Sequence, residues 1–335
     1  MIDIKLLEQL CLCNGISGDE GNVRNLIINE IKDCADDIKT DNLGNLIVFK
    51  KGKKSAKSKL MVSAHMDEVG LMVTDITSDG YLKFDEVGGI DRRVLPGKRV
   101  CVGRNGLNGV IGVKPIHLTN GDEKTAVPKM NDMYIDIGAE SREDALKYVN
   151  YGDGINFEGD FKINGKTVVT KALDDRFGCY VLINLIKSEP EYDMYFTFVV
   201  QEEVGLRGAR PAAFTVNPDF ALVIESTTAA DVAEVDASHQ VCNLSKGATV
   251  TVMDRATVYD KEMISAAFEL AEKNNIAVQY KRAVAGGNDS GAIHQSRGGV
   301  RTLAVSLPSR YIHAPSTAAN LDDCESVLKL AKVLS

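Results

Sequence analysis

Five strand or loop ends carry side chains suited to holding divalent metal ions: His65 and Asp67, Asp174 and Asp175, Glu202 and Glu203, Glu225, and His313. Most of them close or follow an apolar run. Lys59 to Ala64 (KLMVSA) leads into His65 and Asp67, and Met194 to Val200 (MYFTFVV) leads into Glu202 and Glu203. Phe220 to Ile224 (FALVI) leads into Glu225, and Thr302 to Pro308 (TLAVSLP) precedes His313. Asp174 and Asp175 open a helical stretch after a short β segment. Singly, each is an ordinary feature: a strand-end histidine, a solvated acid pair, an N-cap with a favourable dipole contact. Together, two imidazoles and several carboxylates make the donor set that a pair of hard or borderline divalent ions takes.

Such a set implies hydrolysis by activated water. Two ions about 3.5–4 Å apart share a water and grip a carbonyl. A carboxylate bridging them must offer one oxygen to each, which suits Asp174. A free carboxylate beside them takes the water proton and passes it to the leaving group. The adjacent pair Glu202 and Glu203 supplies this if one ligates and the other stays free. Asp67, two residues from His65, is placed to orient the imidazole by a hydrogen bond.

These residues need a scaffold that gathers strand ends. The opening segment reads as helix, turn, helix: Leu6, Leu7 and Leu10 share one face, and Val23, Leu26, Ile27, Ile31 and Cys34 continue an apolar stripe. Ser17, with Glu20 three residues on, predicts a capping box for the second helix. Strands are predicted at 45–50, 59–64, 167–170, 194–200 and 220–224, and Arg301 to Ser306 leads to the last. Helices are predicted over 175–187, 261–274 and 322–334. This alternation implies an α/β fold with a mixed, largely parallel central sheet and helices on both faces. Ligands then bind at the carboxyl ends of the strands. Between about Val69 and Lys162 the texture changes to short β runs separated by Gly and Asp turns, with one helix over 141–149. That implies a small β-rich, barrel-like domain at 69–164, inserted into a catalytic domain formed by 1–68 and 165–335.

With 335 residues, 44% hydrophobic and 26% charged, the chain has ample material for a core. Its net charge of −8 argues against nucleic acid or an anionic membrane as partner. Seven cysteines, an odd number, read as reduced thiols packed as small hydrophobes; Cys11 and Cys13 lack a second pair at zinc-finger spacing. The N-terminus shows no basic region followed by an apolar one, and no apolar run is long enough to span a bilayer, so a cytoplasmic location is expected.

At this point the residues resemble a known family, the tetrahedral (TET) and glutamyl aminopeptidases, which are co-catalytic dinuclear metallopeptidases. The likeness is carried by His65-Met66-Asp67-Glu68-Val69-Gly70, Ala172-Leu173-Asp174-Asp175-Arg176, Gln201-Glu202-Glu203-Val204-Gly205-Leu206-Arg207-Gly208-Ala209, Gly286-Gly287-Asn288-Asp289-Ser290-Gly291-Ala292 and Arg310-Tyr311-Ile312-His313-Ala314-Pro315. They span nearly the whole chain in family order. The resemblance implies an aminopeptidase acting on short peptides. His65, Asp174 and Glu225 would hold one metal, and Asp174, Glu203 and His313 the other. Zn2+ is the expected ion, with Co2+ or Mn2+ as alternatives. Glu202 would be the general base and Asp67 the support of His65. The inserted domain would dimerise, and six dimers would close a tetrahedral dodecamer.

Two departures stand out. Many relatives carry Asp where this chain has Glu225, and the family's Thr in the glycine motif is Asn288. The glycine loop is no phosphate-binding motif, so it reads as close backbone approach near the metals. Gly287, Asp289 and Tyr311 are the expected substrate-binding residues, with His294 also near the pocket. Two other readings remain open. Glu225 keeps alive a related amide hydrolase, a deacylase or carboxypeptidase, which would cleave substrates with blocked N-termini. A metal-stabilised scaffold would cleave no peptide. A glycosidase is disfavoured, since the chain has no Trp for sugar stacking and its acids are accompanied by metal-type histidines.

Overall fold

A computed structural model describes residues 1–335. Two helices open the chain, α1 (Ile4–Leu12) and α2 (Gly21–Ile31), followed by β1 (Asp37–Thr40), β2 (Leu46–Lys50) and β3 (Leu60–His65). Then come β4 (Gly70–Ile76), β5 (Leu82–Val87), β6 (Arg99–Val102), β7 (Leu107–Val113), β8 (Met133–Asp136), the short α3 (Arg142–Ala145) and β9 (Gly154–Phe157). The remainder is β10 (Lys162–Asn164), β11 (Thr167–Thr170), α4 (Leu173–Ile186), β12 (Met194–Val199), α5 (Ala209–Val216), β13 (Phe220–Thr228), β14 (Ala248–Val250), α6 (Lys261–Lys273), β15 (Val278–Tyr280), α7 (Ser290–Ile293), β16 (Arg301–Arg310), β17 (Thr317–Asn320) and α8 (Leu321–Leu334).

The main sheet has 11 strands, ordered β1-β2-β12-β3-β13-β16-β17-β11-β10, with β14 joining β16 and β15. Its centre, β12-β3-β13-β16, is parallel, while the flanks are antiparallel. The sheet is therefore mixed with a parallel centre, as the alternation of strands and helices implied. Alternate side chains explain why both faces are covered. Val62, Ala64, Leu222 and Ile224 pack beneath α1, α2, α4 and α8, while Met61, Ala221 and Val223 meet α5 and α7 on the other face.

Strands β4 to β9 form a separate, closed antiparallel barrel in the order β4-β5-β8-β7-β6-β9. Leu71, Val73, Phe84, Val100, Ile111, Ile135 and Ile155 fill it. Closure removes the unpaired edges that such short strands would expose. The barrel leaves the main sheet just past His65 and returns at β10; Val69 at its start and Phe157 at its end line a small cavity with Asp174, Glu203 and His313. Gly70 at its entrance is required: a Cβ there would lie 2.2 Å from Ile16 Cγ2 and 2.8 Å from the Ile155 carbonyl.

Three local expectations are corrected. The Ser17–Glu20 capping box does not form; Glu20 itself precedes α2 and makes no side-chain cap. The helix expected over 141–149 is the single turn α3. The strand starting at Arg301 runs on to Arg310, and β17 follows it. No helix is long and apolar enough to cross a membrane.

Candidate metal centre

The parallel register brings the donors together. Val199 pairs with His65 and Ser63 with Val223, so Glu225, two residues further along β13, comes level with His65. Glu202 and Glu203 lie just past β12, Asp174 in the first turn of α4, and His313 just past β16. Asp174 and Asp175 lack helical φ/ψ although they begin α4. Gly178 is needed one turn on, because a Cβ there would sit 2.2 Å from Asp175 Oδ2.

Two donor trios result, sharing one carboxylate. His65 Nε2 lies 3.4 Å from Asp174 Oδ1 and 3.2 Å from Glu225 Oε1. His313 Nε2 lies 3.5 Å from Asp174 Oδ2 and 3.3 Å from Glu203 Oε2. Ligands at about 2.0–2.1 Å around a tetrahedral ion are separated by roughly 3.3–3.4 Å, close to these spacings. Asp174 offers a different oxygen to each trio. Glu225 Oε2 is buried with no hydrogen-bond partner. This donor set fits two divalent cations.

The electrostatics agree. Burial pushes Glu203 up to about 8, with Asp174 adding to it while the histidines oppose. Burial also raises Glu225 to about 7, against the pull of His65. Glu202 is raised well above the carboxylate range by burial, with Glu225, Asp289 and Glu203 contributing. Burial works against charge on His313, yet Asp174 and Glu203 lift it to about 9. In Asp174, burial is outweighed by the two imidazoles and the group is held well below its ordinary value. Four carboxylates crowd two imidazoles, and cations between them would relieve the excess negative charge.

A second ring of residues fixes the first. His65 Nδ1 is 3.1 Å from the Asp67 carbonyl, and a proton there leaves the Nε2 lone pair facing Asp174 and Glu225. Asp67, fully buried, accepts from Glu202 N and Glu203 N, each at 3.1 Å, and from Ser17 Oγ at 2.6 Å. Glu20 accepts Gln201 N at 3.1 Å. The Ser17–Glu20 pair that resembled a helix cap thus braces the loop carrying Glu202. Asp175 Oδ2 accepts His65 N at 3.3 Å. Arg176, wholly buried, donates to the carbonyls of Met66, Leu10, Cys13 and Gly15 and to Glu68, which also binds Lys171. Several non-glycine residues beside the donors, Ala172, Gln201, Leu206, Tyr311 and His313, have φ between 54° and 61°. Each such conformation costs about 1–3 kcal/mol, a cost typical of positions shaped by function.

A cavity of about 630 Å³ opens over the donors. Gly287 lines it. Asp289 does not: its side chain is fully buried and neither oxygen has a hydrogen-bond partner. Tyr311 points to solvent at 60% exposure, and neither it nor His294 lines the cavity; the Tyr311 loop contributes Ile312 and His313 instead. The glycine backbone, not the acid after it, faces the space.

The profile of the M42 glutamyl aminopeptidases matches residues 44–330. The chain belongs to the M42 glutamyl aminopeptidase family. Lysyl aminopeptidase of Pyrococcus furiosus is 34% identical over 346 residues, covering 100% of this chain and 97% of the relative. The crystal structure of a TET aminopeptidase from a marine sediment Thaumarchaeota archaeon superposes with a TM-score of 0.94 at 33% identity, covering 99% of this chain and 95% of the other. The TET1 peptidase of Pyrococcus horikoshii, which assembles into a tetrahedron or a large octahedral shell, gives 0.88 at 40% identity over 99% of this chain and 98% of its own. The chain is therefore an aminopeptidase, a hydrolase of peptide bonds, in a family of metallopeptidases.

Proposed function

We propose that this aminopeptidase works with two divalent ions, one held by His65, Asp174 and Glu225, the other by Asp174, Glu203 and His313. The observation that carries this is the pair of donor trios meeting at opposite oxygens of Asp174. When bound, the ions lower the pKa of water and polarise the scissile carbonyl. Glu202, outside both trios but within the same cavity, accepts the proton of the attacking water and returns it to the leaving amine. Asp67 and Ser17 hold the Glu202 backbone while Asp67 orients His65. The Gly287 backbone lines the path of the substrate.

Zn2+ suits the mixed nitrogen and oxygen donors at tetrahedral spacing, and Co2+ or Mn2+ can take the same set. The cavity fits the end of a short peptide. Residues 1–68 and 165–335, with β10 added to their sheet, form the catalytic body, and the barrel within 69–164 the dimerisation body. Val110, Ile116, Leu118 and Val127 are all exposed there, an apolar surface suited to a second copy. Dimers then build a tetrahedral dodecamer, as the Pyrococcus horikoshii relative does. Seven free cysteines suit the reducing cytoplasm.

The test is hydrolysis of aminoacyl-p-nitroanilides and their N-acetylated counterparts, before and after chelation. Cleavage of free-amine substrates only, abolished by chelator and restored by zinc, cobalt or manganese, is expected. Equal cleavage of blocked substrates would replace the aminopeptidase with a deacylase.

A further inference from the structure

His65 and His313 reach their trios from different surroundings. The His65 side chain is 1% exposed, and its ring is held by the Asp67 carbonyl. The His313 side chain is 39% exposed and meets Asp174 and Glu203 through Nε2. Its reach therefore depends on where its backbone is set. That backbone is the loop 311–316, which turns β16 into β17. It carries two left-handed non-glycine residues, Tyr311 (φ 61°) and His313 (φ 58°). Such residues keep their conformation only where their surroundings over-determine it.

The loop is pinned at both ends. Past its far end, Thr317 Oγ1 donates to the Tyr311 carbonyl at 3.4 Å. At its near end stands Arg310, the last residue of β16 and paired there with Ala318. Its guanidinium grips Asp231, with Nε donating to Oδ1 at 2.7 Å and Nη2 to Oδ2 at 2.9 Å. Two such bonds fix direction as well as distance, which a lysine cannot do. The Asp231 side chain is 9% exposed and is itself fixed, since Oδ2 accepts Leu244 N at 2.9 Å. Asp231 lies in the excursion that follows β13, and that excursion closes on Ala229. The Ala229 N–H donates to the Ser309 carbonyl at 2.8 Å, and its carbonyl accepts Val241 N at 2.9 Å and Cys242 N at 3.2 Å. Thr228 and Val241 line the same cavity as Ile312 and His313, whereas Arg310 and Asp231 do not. The ion pair thus joins one stretch of the cavity wall to the loop of one candidate metal donor, from outside the space a substrate would fill.

We propose that Arg310 and Asp231 are positioning residues that hold His313 in the second trio and tie it to the Thr228–Val241 wall. The proposal rests on the two-ion reading above. Without the fork, the strained loop is free to relax, and His313 Nε2 leaves its place beside Asp174 and Glu203. The trio of His65 is fixed by other contacts, the Asp67 carbonyl on its ring and the Asp175 carboxylate on its backbone N–H, and keeps its donors.

The test titrates Zn2+ and Co2+ into chelator-stripped protein by calorimetry and records the visible absorption of the Co2+ forms. It compares wild type with Arg310→Met, Arg310→Lys, Asp231→Asn and the double variant Arg310→Met/Asp231→Asn. In Arg310→Met one ion should bind about 10–100-fold more weakly and the other within about 3-fold of wild type, the size expected for a residue supporting a metal ligand. The Co2+ absorption of the weakened site should change with it. Arg310→Lys should recover only part of the loss, because an ammonium cannot span both oxygens. The double variant should be no worse than either single one, as for two residues that act as a pair. If the pair only stiffens the fold, every variant will melt at a lower temperature yet bind both ions as the wild type does, which overturns the proposal. Equal weakening of both ions overturns it too. Should Arg310→Met not fold, Arg310→Lys and Asp231→Asn carry the same comparison. A wild type that binds fewer than two ions removes the two-ion reading itself, and the proposal with it.

Discussion

Glu202 and Glu203 are neighbours that share a backbone partner, but only one of their carboxylates meets a histidine. Glu203 faces His313, while the Glu202 and Glu203 N–H groups both bind Asp67. Glu202→Gln keeps the shape and removes the proton carrier proposed above. It should lower kcat by about 10²–10⁴-fold while metal content, read by atomic absorption, stays at the wild-type level. Ser17→Ala removes one of the hydrogen bonds on Asp67 and should cost roughly tenfold in kcat or metal affinity, the lower end for such support. A variant as active and as metal-loaded as wild type would reduce Ser17 to a filler. The clustering of His65, Asp174, Glu203, Glu225 and His313 was legible because most close an apolar run, and a strand's end is where its side chains reach the open rim. Ser17 was visible but misread. Its hydroxyl suits a local cap equally well, and nothing in a sequence shows an acceptor 50 positions away.

The elements differ in how plainly they could be read. Strands buried on both faces, such as β3, β12 and β13, stand out as apolar runs. The short strands β1 and β10 are mostly exposed, and β17 is built from small residues, so none of them shows alternation. Their pairing comes from neighbours distant in sequence. Helix α6 owes its start to Asp260, which accepts Glu262 N and Met263 N at 3.0 Å and pairs with Arg301. Arg301 holds the Asp260 carboxyl at about 2, with burial opposing and the cap N–H groups helping. A depressed carboxylate stabilises the fold above its unfolded value, about 4, and that support is lost as pH falls towards 2. Asp260→Ala should therefore cost about 1–2 kcal/mol in urea unfolding at pH 7. The gap from wild type should narrow between pH 4 and pH 2. In the barrel, Ile135 is fully buried on β8. Ile135→Ala should cost about 2–5 kcal/mol, measured as a lower denaturation midpoint.

At the scale of the whole molecule the proposed assembly has a mass to match: twelve copies of a 36.3 kDa chain. Light scattering should find that species. Ile116→Glu with Leu118→Glu, both on the exposed barrel surface, should break it into smaller units. An unchanged mass would move the interface elsewhere. The barrel has another effect that depends on order in the chain. It lies between His65 and the other four candidate donors, of which His313 comes last, long after Glu225. Synthesis delivers the N-terminal part first. The barrel is thus complete while β3 still lacks both of its neighbours, β12 and β13. Until the ribosome has passed His313, the second of the two proposed ions would lack one of its donors. A growing chain, its own or another's, is safe from a peptidase that is still being made.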